Sequence, residues 1–127
     1  MATTLVPTIG LTAMATSYLA TGTHIAIGDS AVVPIVGNGT TTGIAMGAEL
    51  DRNALSLKAA TANIATFEAF FTTTEPSATT TKTIREVGLF SASSGGTLLV
   101  HAQPVIPVEK TVNKTMLVTV IVTFANA

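Results

Sequence analysis

Few residues in this chain could do chemistry, and their spacing restricts what that chemistry could be. The 127 residues include two histidines, His24 and His101, and no cysteine. Disulfides and thiolate metal sites are therefore excluded. An imidazole metal site needs further ligands, and neither histidine has a second histidine four residues away or a carboxylate pair at ligand spacing. Both read as ordinary strand residues near a polar side. Nucleophilic catalysis needs a base beside a hydroxyl and a third group to orient the base. Hydroxyls are plentiful, but no Gly-x-Ser-x-Gly elbow occurs, and Ser93-Ser94-Gly95-Gly96 reads as a turn. Asp29, Glu49 and Asp51 are candidate cation ligands, with Glu49 and Asp51 expected on one side of a strand, yet the spacing of a calcium loop is missing. Gly37-Asn38-Gly39 lacks the lysine of a phosphate loop. The reading is non-enzymatic, with no catalytic residue, no metal and no cofactor.

Arg85 and Glu86 are the other informative charges. They are adjacent in a strand-like run, so their side chains point to opposite faces. One of them turned inward needs a partner, because an unpaired buried charge is strongly unfavourable.

The elements that must position these groups are mostly strands. Residues 83–90 and 97–100 are rich in strand formers, and the small polar stretch 91–96 between them ends in Gly95 and Gly96. Both glycines can take the positive φ that closing a hairpin often requires. Residues 63–72 alternate, with Ala65, Phe67, Ala69 and Phe71 on one face, and this predicts a central core strand. Residues 115–124 give the longest strand signal. Met116, Val118, Val120, Val122 and Phe124 share one face, and Leu117, Thr119, Ile121 and Thr123 the other. Apolar groups on both faces predict a strand covered on both sides, by the core and by another layer or subunit.

Further strands are expected over 23–28 and 48–57, and a short edge strand over 105–108, flanked by Pro104 and interrupted by Pro107. Turns are expected over 58–63 and 109–114. One helix follows Pro7, capped by Thr8 or Thr12, with Leu11, Met14, Ala15, Tyr18 and Leu19 on its apolar stripe and Gly22 as the stop. Residues 31–47 read as a long loop with a short apolar strand near Val32, Val33, Ile35 and Val36. A second loop, 73–82, surrounds Glu75 and Pro76. The fold class is mainly β: one domain over 1–127, an antiparallel β-sandwich of six to eight strands with one N-terminal amphipathic helix.

Composition limits the partners. Charged residues make up 10% of the chain, against about a quarter in typical domains, while apolar residues make up 47%. A surface this poor in charge points to cover by neighbouring subunits, with a threonine-, serine- and alanine-rich surface as the alternative. The net charge is −1 and the six basic residues are scattered, which disfavours nucleic acid. No apolar run is long enough for a membrane helix, and no basic and apolar leader marks a secretion signal.

Ile84-Arg85-Glu86-Val87-Gly88-Leu89-Phe90, a small-residue turn and Gly96-Thr97-Leu98-Leu99 together resemble a motif of tailed-phage virion proteins. The chain is similar to the N-terminal, particle-attaching module of phage tail-collar and tail-fibre proteins. Weaker matches follow in the same order at Val6–Leu11, His24–Asp29, Glu49–Arg52 and Asn113–Thr115. Position 124 is Phe, where the family's closing segment ends in tryptophan. The resemblance places Arg52 and Glu86 in ordered strands, and so implies a structural ion pair between them. It also implies a homotrimer located in the virion after assembly in the host cytoplasm. The expected role is a tail-fibre, collar or baseplate adaptor bound to other virion proteins through residues 1–6, 31–47 and 73–82. Capsid decoration of the head is the alternative, and a host-glycan-binding β-sandwich a more distant one.

Overall fold

The computed structural model describes residues 5–31 and 46–126. Their order is α1 (Thr8–Thr21), β1 (His24–Gly28), β2 (Glu49–Ala54), β3 (Leu57–Thr61), β4 (Ile64–Phe71), β5 (Lys82–Ile84), β6 (Glu86–Phe90), β7 (Leu98–Ala102), β8 (Val108–Lys110) and β9 (Met116–Thr123). The chain is mainly β, with one N-terminal helix and nine short strands among the described residues. A four-stranded sheet runs β2-β1-β6-β7, a three-stranded sheet β3-β4-β9, and β5 pairs with β8. Every pairing is antiparallel.

The core lies between the two larger sheets. Ile25, Ile27 and Leu89 project from one, and Ala65, Phe67, Ala69, Phe71 and Val120 from the other. Period-two alternation produces this. All four inward residues of β4 are fully buried, while Phe70 on the opposite face is 45% exposed. Burying a side chain such as Phe67 contributes about 1.5–3 kcal/mol, so β4 anchors the packing. The chain crosses between layers at Leu55 and Ser56, whose N–H groups donate to Thr23 O and Glu68 O.

α1 packs against β3 and β4, with Ala15, Tyr18 and Leu19 joining the core and Leu11 half-buried. Met14 leaves the expected stripe and is 44% exposed, because the inward face passes through Ala15. Neither Thr8 nor Thr12 caps the helix: Pro7 occupies the cap without a side-chain bond, and the Thr12 hydroxyl donates to Thr8 O.

Several expected boundaries move, among them the strand expected over 48–57, which ends at Ala54, and the turn expected over 109–114, whose first two residues belong to β8. Residues 58–63 are not all turn. β3 runs to Thr61, and only Ala62, at φ 51°, and Asn63 turn the chain. Pairing with β4 supplies what the residues' own strand preference does not. Residues 83–90 are two strands, because the Arg85 N–H leaves the ladder to donate to Gly28 O. The edge strand near the prolines forms at Val108–Lys110 instead, since Pro107 has no N–H to pair. The anticipated strand at Val32, Val33, Ile35 and Val36 lies outside the described residues.

Candidate functional site

The outer face of the four-stranded sheet carries the polar residues. Glu86 is fully buried there, opposite Gly28. Its carboxylate accepts N–H bonds from Ser30 (2.9 Å), Gly47 (2.8 Å) and Ala48 (2.7 Å). His101 Nε2 lies 3.0 Å from Oε1, and because a carboxylate only accepts, this nitrogen is the donor. Burial works to raise the Glu86 carboxyl, but the amides of Ala48, Gly47 and Ser30 and the His101 contact outweigh it and hold it below the ordinary glutamate range. Glycine at position 28 is required for this approach: a Cβ there would stand 2.7 Å from the Glu86 side chain and 2.6 Å from Ala48 O.

The implied Arg52–Glu86 pair does not form. Strand β1 lies between the strands that carry them, and each has other partners. Arg52 forms a fork with Glu49 at 2.6 and 3.0 Å, lies 3.5 Å from the Phe90 ring centroid, and donates from Nη1 to Ala92 O and Gly95 O. It therefore fastens the hairpin turn down on the sheet face. Gly95 and Gly96 adopt positive φ of 58° and 71°, as the turn requires. Met46, Ala26 and Phe90, with Leu98, form a small second core on the same face.

The candidate cation ligands separate. A bulge at Ile27/Gly28 pairs Gly28 with Glu49 and Ile27 with Asp51, which turns Glu49 to the Arg52 side and Asp51 away from it. Asp29 pairs with Arg85, and Asp51 lies against Glu75. Burial pushes the Asp51 carboxyl up; the Arg52 amide opposes this, and the charges of Glu75 and Glu49 add to it. Burial also works to raise Glu75, but the Thr72 amide and the Asn53, Thr72 and Asp51 side chains bring it below the ordinary range. Glu75, beside Pro76, thus bonds to Thr72 at the start of its own loop and reaches Asp51 and Asn53 of β2. Among the described residues, no group of three His, Cys, Asp or Glu is placed to hold a metal ion.

The three-stranded sheet presents a different outer face. Leu57 (46%), Phe70 (45%), Leu117 (56%) and Ile121 (63%) are exposed on it, with Ile64, threonines and Glu68 between them. Beside this face, an apolar groove of about 440 Å³ separates β9 from Val100 and Ala102 of β7. Val105 and Ile106, fully and largely exposed, stand at its rim next to Pro104.

His101 was not identified as the Glu86 partner, although the hairpin contains the signal: pairing across the turn sets Gly88 opposite His101, one diagonal step from Glu86. The buried Lys110, whose Nζ donates to Thr111 O, has no comparable signature. His24 lies beside the Thr23 hydroxyl, with Nδ1 at 2.8 Å. Comparison with protein-family models and with curated proteins returns no match.

Proposed function

We propose that this chain is a non-enzymatic structural protein of a tailed-phage particle, acting as a self-associating tail-fibre, collar or baseplate adaptor. The virion assignment rests on the sequence resemblance around Ile84–Phe90 and Gly96–Leu99. One structural observation supports the assembly part. The outer face of the three-stranded sheet leaves Leu57, Ile64, Phe70, Leu117 and Ile121 in water, with Glu68 as its one carboxylate. Large apolar side chains gathered on one nearly uncharged face in this way are what a subunit contact covers. The resemblance implies three copies, with neighbouring virion proteins as the other partners.

Capsid decoration is the second reading. It is favoured by the chain's threonine- and alanine-rich, low-charge make-up and by the same face, whose threonines would suit broad, neutral contact with a shell. A sugar platform is less favoured. Tyr18, the one tyrosine, packs edge-to-face on Phe124 at 5.0 Å and donates its hydroxyl toward Leu99 O.

Mass spectrometry of purified particles, with band intensities, tests the proposal. A few copies per particle indicate the tail, and a count near that of the capsid protein indicates decoration. Absence from the particle overturns both readings.

A further inference from the structure

Strand β9 is an edge strand without the usual protection. It runs eight residues in unbroken register with β4, and its other edge has no partner among the described residues. It contains no charge, no proline and no bulge. The other edges are all blunted, as natural edges tend to be. β2 carries Glu49, Asp51 and Arg52 and a bulge, β3 carries Lys58, and β7 is short, bulged and bears His101. β5 and β8 are three residues each and include Lys82, Glu109 and Lys110.

The apolar groove follows this bare edge. All six residues from Met116 to Ile121 line it, from both faces of the strand, and Val100 and Ala102 form part of the opposite wall. The sandwich is therefore open along a strand whose outer edge still has hydrogen-bonding groups to offer and nothing to blunt them.

We infer that β9 pairs antiparallel with β9 of a second copy across a two-fold axis, merging the two grooves into one core. Charge selects this occupant. A neutral strand and a neutral groove offer nothing to a charged partner, and at net charge −1 two copies scarcely repel. The sequence is also self-complementary about Thr119. With the two Thr119 residues opposed, Leu117 faces the partner's Ile121 and Val118 faces the partner's Val120. Residues directly opposite in an antiparallel pair share a face, so exposed apolar groups meet each other and inward valines meet inward valines. The inference deepens the self-association proposed above and predicts two-fold pairs in place of the implied trimer.

Sedimentation of the intact chain over a wide concentration range tests it. The wild type is expected as a dimer. Thr119→Glu opposes two carboxylates across the axis, with Glu68 of the same chain beside each and no cation on that face to offset them, and is expected to weaken the dimer by about a hundredfold, leaving the circular dichroism spectrum unchanged. Because the chain has no cysteine, Thr119→Cys provides a clean second measurement. It is expected to form a disulfide-linked dimer on mild oxidation, whereas Ser17→Cys on the exposed side of α1 is not. A monomeric wild type, a trimer, or any assembly that survives Thr119→Glu overturns the pairing. Absence from particles would remove the virion reading without affecting this result.

Discussion

The two sheets turn opposite kinds of surface away from their shared core. On the four-stranded sheet, Glu86 and Arg52 are enclosed, and each side-chain oxygen of the one and nitrogen of the other meets a partner from the same chain. On the three-stranded sheet, leucine, isoleucine and phenylalanine side chains face water. One face is completed internally and the other is left for something else to complete. The scarcity of charge is thus localised: the few ionised groups are concentrated where they hold loops to one sheet, and the other sheet is left almost neutral.

The contrast can be broken most severely at Glu86. Glu86→Ala leaves three buried amides and His101 without an acceptor, and a loss of about 3–5 kcal/mol is expected in urea unfolding. Arg52→Lys is next. Lysine keeps the charge but loses the fork, so a loss of about 1.5–3 kcal/mol is expected, with faster hydrogen exchange at the Ser91 and Thr97 amides that close the turn.

Titration sharpens the comparison further. Glu86 has a lowered carboxyl in the fold, so its contribution is complete above the ordinary glutamate range and is lost as pH falls through the folded-state value. Acid unfolding of the Glu86→Gln variant is therefore expected to show a shallower pH slope than the wild type. Asp51 has the opposite sign. Its raised carboxyl makes the fold more tolerant of acid and less favoured once the group ionises. Asp51→Asn, which keeps the acceptor for the Arg52 amide, is expected to gain up to about 1 kcal/mol at neutral pH in the same unfolding assay. The smallest effect belongs to the bare face. Leu117→Ser and Ile121→Ser are expected to change the stability of the isolated subunit by no more than about 0.5 kcal/mol.

The sequence was most informative where alternation and aromatic content agree. Phe67 and Phe71 turn inward on β4 as their spacing predicts, and Gly95 and Gly96 close the hairpin that their position suggests. Whichever of Arg85 and Glu86 was buried was expected to need a partner; Glu86 is the buried one, on the outer face of its sheet, and it has partners. The partner was not legible, because three of its four donors are backbone amides, which leave no mark on residue identity. β3 was hidden for a related reason. Lys58, Ala59 and Ala60 are weak strand formers, and the ladder with β4 overrides them. The break at Arg85 depends on one long-range bond to Gly28 O. The side of Glu49 depends on a bulge that no local pattern announces.

The carboxylate of Glu86 grips the backbone on both sides of a gap in sequence, at Ser30 and again at Gly47 and Ala48. Chain leaving and returning at one clasp has both of its ends held by the same side chain. Residues 32–45 can accordingly be regarded as an exchangeable cassette. Related chains could lengthen, shorten or rewrite it to suit a new neighbour while keeping the same sandwich.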